Sequence, residues 1–139
     1  MGINYLAVLV AAVAAWIFGA VWYGILGKQW MAAMGKTEEQ CKAEQSGRSR
    51  VAFFAPFVLA FVAALIIAWV LAGVMAHVGP ITIRAGVISG AFVWFGFVLT
   101  TIVVNNAFAM RKPMLSAIDA GHWLGVLLVA GAIIGAFGR

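Results

Sequence analysis

Charge is scarce in this chain. Lys, Arg, Asp and Glu make up 9% of its 139 residues, against 65% apolar ones, too few to give a folded domain a solvated surface. That excludes a water-soluble globule and leaves an integral membrane protein. Cysteine occurs once, as Cys41, which rules out an internal disulfide. Histidine occurs twice, as His77 and His122, and the two fall toward opposite membrane faces, so a metal or haem site lacks ligands at a common depth. Alternating polarity is missing from the long apolar stretches, which excludes the roughly 10-residue strands of a membrane barrel.

Uncharged runs extend from Met1 to Gly27, Val51 to Ile83, Ala85 to Met110 and Ala120 to Gly138. A helix crosses about 30 Å of hydrocarbon in about 20 residues, so four spans fit and a fifth does not. They are expected at about 3–26, 52–77, 83–110 and 114–137. The predicted fold is all-α, a single four-span bundle over residues 1–139. The first run has small residues that suit signal cleavage, but no Lys or Arg precedes it and it exceeds an h-region in length, so it is expected to remain as a helix. "MGINYL" lacks the Ser or Thr that a myristoylation signal needs.

The net charge of +5 follows topology rather than a nucleic-acid partner. Lys28, Lys36, Lys42, Arg48 and Arg50 lie in the first loop and Arg111 and Lys112 in the third, against Arg84 and Arg139 on the other side. The positive-inside rule then makes the first and third loops cytoplasmic and turns both termini outward. Cys41 falls on the reducing side and reads as an ordinary thiol.

Within the first loop, residues 28–50, Gly35 is suited to ending an extended first helix, and Thr37 with Gln40 forms a capping-box pattern that predicts a short surface helix. Trp30, with Met31 and Met34, reads as an interface anchor. In "HVGPIT", Gly79 and Pro80 stop the second span, Thr82 caps the third and His77 is interfacial. "RKP" is short and puts Pro113 in the first turn of the fourth span, so the last two spans must be antiparallel neighbours. "GAVWYG" at 19–24 is similar to "GAFVWFG" at 90–96. Trp22 is nevertheless expected near the cytoplasmic end of its helix and Trp94 near mid-membrane, so no repeat is inferred.

Asp119 is the one acid outside the first loop. Counting inward at 1.5 Å per residue, Tyr23, Asn105 and Asp119 all lie roughly 8 to 10 Å inside the cytoplasmic boundary, with His122 about a turn deeper. Thr101 and Asn105 form one polar stripe on the third span, and Ser116, Asp119 and His122 another on the fourth. Facing lipid costs a carboxylate about 2.5 to 3.5 kcal/mol on insertion scales, so Tyr23, Thr101, Asn105, Ser116, Asp119 and His122 are expected to converge. Asp119 would accept hydrogen bonds from Asn105, Tyr23 or His122. Small residues at four-residue spacing, Ala15 with Gly19, Gly86 with Gly90, Gly121 with Gly125 and Gly131 with Gly135, mark helix-packing faces. Those on the fourth span suit either an oligomer contact or packing within one bundle.

"INYLAVLVAAVAAWIFGAVWYGILGKQWMAAMG", "TTIVVNNAF" and "IDAGHWL", in this order and over nearly the whole chain, resemble a bacterial family catalogued as domain of unknown function 1761. The resemblance implies a small four-span inner-membrane protein. It brings no activity, cofactor or catalytic residue with it.

Enzymatic readings find little support. Ser116, Asp119 and His122 are triad residue types, but on one continuous helix they offer no oxyanion site and poor nucleophile geometry. Small four-span glutathione-using enzymes would need acids and an Arg on the second span, which has none. No enzyme, no metal and no cofactor are expected. The leading expectation is a non-catalytic oligomeric or accessory subunit, a homo-oligomer or part of a larger membrane complex, whose polar network fixes helix register. The alternative is a small transporter or proton or cation pathway that uses Asp119 and His122.

Overall fold

The computed structural model describes residues 2–138, so Met1 and Arg139, the latter counted above among the outer charges, lie outside the described residues. The chain forms α1 Tyr5–Ile25, α2 Gly27–Ala33, α3 Glu38–Ser46, α4 Arg50–Val78, α5 Ile83–Phe108 and α6 Pro113–Phe137. Of these, α1, α4, α5 and α6 are long and apolar enough to cross a membrane, each within two residues of its expected limits.

Local signals set the helix ends. Asn4, Ser49 and Thr82 each accept a backbone N–H from three residues on, which satisfies one of the orphan donors of a first turn. Thr37 and Gln40 form the full capping box at the start of α3. Pro113 opens α6 in its first turn. Gly35, with φ +75°, takes the left-handed conformation just after α2 that a side chain would resist. The first helix does not extend to that point, as the sequence reading had it. It ends at Ile25, and a kink at Leu26 starts α2 as a separate turn.

The kink has a packing reason. It folds α2 back onto the start of α6, where Ala33, Leu115 and Ile118 are buried and Tyr23, Leu26, Trp30 and Met34 pack against them. Lys112 Nζ also donates to Ala32 O across this contact (3.3 Å). Trp30 is thus half-buried against protein. His77 is exposed at the opposite end and donates through Nδ1 to Gly73 O (2.7 Å).

Helix α6 is the axis of the bundle, touching α1, α4 and α5 along its length. The main core is built largely of alanine, with Ala11, Ala12, Ala64, Ala68, Ala72 and Ala130 around Leu71, Met75, Leu127 and Ile134. Where lipid tails are as apolar as the core, helix association comes from close van der Waals approach, which small residues permit. No polar or charged residue is fully buried among the described residues.

Candidate functional site

Two glycine seams on α6 fix what stands beside Asp119. On one side, a methyl group at Gly121 would lie 2.8 Å from the Trp22 ring, and one at Gly125 would strike Phe18. Both aromatic residues belong to α1. On the other side, Gly131 faces Gly86 backbone to backbone, Gly90 meets the Leu127 carbonyl, and Gly135 meets that of Thr82. Gly19 completes the set, since a methyl there would sit 2.7 Å from His122 Nε2. All six expected packing glycines, Gly19, Gly86, Gly90, Gly121, Gly125 and Gly135, therefore serve contacts within one chain. Within this chain the glycine seams of α6 are filled by α1 and α5.

The seams bring α1 close enough for Tyr23 OH to donate to Asp119 Oδ1 at 2.7 Å. The Tyr23 and His122 rings lie 4.9 Å apart, and His122 also packs edge-on against Trp123 at 4.6 Å. His122 Nδ1 is buried with no hydrogen-bond partner among the described residues. Tyr23, Asp119 and His122 thus meet as the sequence predicts, but their hydrogen bonding is incomplete.

Two indoles hold the backbone on either side of Asp119. Trp22 Nε1 donates to Ile118 O at 3.0 Å, and Trp94 Nε1 donates to Ala120 O at 2.7 Å. These carbonyls are two residues apart, so α6 is gripped from α1 on one side and from α5 on the other. The two similar segments, dismissed as a repeat for their different depths, give their tryptophans the same task. Sequence reasoning missed both contacts, although the signal was present: an indole N–H in an apolar helix needs an acceptor. Trp94→Phe keeps an aromatic ring but removes this bond and part of the indole's packing, so it is expected to destabilise the fold by about 1 kcal/mol or more. Trp69→Phe, at a half-exposed position, is expected to leave the detergent melting curve unchanged.

The third span departs from the expected stripe. Residues Trp94–Leu99 form a π-helical turn, which inserts one extra residue into the register. In a continuous α-helix at about 100° per residue, Thr101 and Asn105 would lie within about 60° of Gly90, and Asn106 about 160° away. The extra residue turns everything after it by about 100°. It turns Thr101 to about 80° from Gly90, moves Asn105 across to about 40° on that same flank, and brings Asn106 to about 60° on the opposite flank, where Asn106 Nδ2 donates to Ser116 Oγ at 3.1 Å.

Thr101 is exposed and bonds within its own helix, to Phe97 O at 2.8 Å and Val98 O at 2.9 Å, while Thr100 bonds Gly96 O at 2.9 Å. These hydroxyls satisfy carbonyls in the π-turn, which a lipid environment requires. The expected convergence of all six residues is thus corrected. Ser116 pairs with Asn106, Thr101 serves the π-turn, and Asn105 is exposed without a side-chain bond among the described residues, while only Tyr23 bonds Asp119.

A groove of about 1190 Å³ runs beside this cluster, walled by α1, α4, α5 and α6. Tyr23, Asn105, Asn106, Asp119 and His122 supply its polar wall. Its remaining surface is mostly apolar and aromatic, and Gln45 of α3 lies at its edge.

No curated protein and no solved structure matches this chain. A family model of proteins of unknown function covers residues 6–135, nearly the whole sequence, and the chain belongs to that family, DUF1761.

Proposed function

We propose that this protein is a small non-catalytic transporter, or a proton or cation pathway, in which Asp119 and His122 meet the solute and Tyr23 orients the carboxylate. The observation that carries this reading is the position of the Tyr23–Asp119 pair in the wall of a large groove, with His122 Nδ1 left unpartnered. A polar cluster that served only to fix register would be closed and fully bonded, because an unmet buried polar group costs about 1 to 3 kcal/mol. Incomplete pairing in a concave, mostly apolar site is instead the pattern of a binding site.

The positive-inside rule supports a cytoplasmic setting for α2, α3 and the Arg111–Lys112 turn, with both termini outside, and the family resemblance supports a bacterial inner membrane. The groove then lies toward the cytoplasmic half. Four helices rarely enclose a route alone, so the working form in this reading is a homo-oligomer or part of a larger complex whose contacts lie outside the glycine seams.

The test is proton entry into proteoliposomes that contain a pH-sensitive dye, compared between the native chain and Asp119→Asn, with detergent-extracted assembly measured in parallel. Asp119→Asn is expected to reduce the flux and leave assembly intact. Unchanged flux together with lost assembly would restore the accessory-subunit reading.

A further inference from the structure

The groove has a chemical bias. Among its lining residues, Asp119 is the one with a formal charge at neutral pH, and none is Lys or Arg. Five aromatic residues, Trp16, Tyr23, Trp30, Phe57 and Trp123, line the same space. Aromatic faces carry negative quadrupole potential and attract cations, most strongly where water is excluded. A carboxylate accepts hydrogen bonds and offers none. An anionic headgroup would meet the Asp119 charge with no basic residue to offset it. At about 1190 Å³, the space exceeds the roughly 300 to 1,000 Å³ of ordinary small-molecule sites and admits a bulky solute.

We propose that the groove is a site for a lipophilic organic monocation, an ammonium or phosphonium whose charge pairs with Asp119 while its apolar body packs among the groove's aromatic rings. The Tyr23 hydroxyl occupies Asp119 Oδ1 and so fixes the carboxylate without neutralising it. This inference rests on the solute-binding reading above and narrows it to one ligand class.

Tetraphenylphosphonium is the probe, with binding to the purified full chain in detergent measured by equilibrium dialysis and by quenching of tryptophan fluorescence. Saturable binding is expected, and Asp119→Asn is expected to weaken it by about tenfold or more, the loss of one close attraction between opposite charges. Asp119→Glu should retain most of it. Ala60→Trp, which fills the groove from the exposed side of α4 without touching the polar cluster, should abolish it, and this variant decides the matter if Asp119→Asn does not fold. Equal competition by the anion tetraphenylborate, or unchanged affinity in Asp119→Asn, would overturn the cation assignment while leaving a solute groove in place. Binding of every probe unaffected by Ala60→Trp would overturn the groove reading as well.

Discussion

Gly86→Ala is expected to cost about 3 kcal/mol or more, the upper end for overpacking, and to remove most folded protein from detergent extracts. Gly86 and Gly131 meet through their backbones, and a methyl group on either would overlap the carbonyl group of the other. A flexible side chain could turn aside from such a methyl. A helical carbonyl cannot, because it is held in its own hydrogen-bond ladder, so α5 and α6 must separate. Separation breaks the Gly90–Leu127 and Gly135–Thr82 approaches along the same seam and draws Trp94 from the Ala120 carbonyl. Gly24→Ala is the internal comparison. Nothing lies within 4 Å of a methyl there, so relief of glycine's helix penalty is expected to stabilise by roughly 0.5 to 1 kcal/mol. Thermal melts of the two variants in one detergent should therefore move in opposite directions. A Gly86→Ala protein as stable as the native chain would mean that the backbone contact between α5 and α6 is not as close as described.

Deleting Phe95, whose side chain is exposed, should convert the π-turn to an α-turn and leave the rest of α5 facing as it does now, because the π-turn absorbs one extra residue and the deletion removes one. Asn106 should then stay beside Ser116. The register can be read by cysteine cross-linking in a Cys41→Ser background. Paired substitutions at Asn106 and Ser116 should cross-link readily in the full-length chain, where the two side chains are 3.1 Å apart. In the deleted chain the same pair should cross-link as well, and a pair at Asn105 and Ser116 should give little product in either chain. Most single-residue deletions inside a packed helix would rotate all that follows by about 100° and lose the fold; this one should be tolerated. A product that moves from position 106 to position 105 after the deletion would show that Trp94–Leu99 holds no extra residue.

The two results probe the points at which sequence and tertiary structure contribute differently. Span positions could be read in advance because they depend on one-dimensional quantities: apolar length against bilayer thickness, and caps at Thr37 and Thr82 that act within three residues. That Tyr23 stood among the three candidate donors to Asp119 was also legible. Both residues lie at the same counted depth, and a carboxylate there requires a partner. Thr101 and Asn105 were misplaced because their assignment assumed an unbroken 3.6-residue period through Trp94–Leu99, where the helix adds a residue.

The amino-acid order by itself determined four apolar helices, their ends, and the need of Asp119 for a donor, since each follows from local composition and the cost of unmet polarity in lipid. Only the packed chain decided which donor answers, which asparagine turns inward, and that the glycines of α6 join helices of one molecule. The physical reason is that these outcomes depend on rotation about helix axes. One π-turn and a few backbone contacts set that rotation, and neither can be read from hydropathy or spacing.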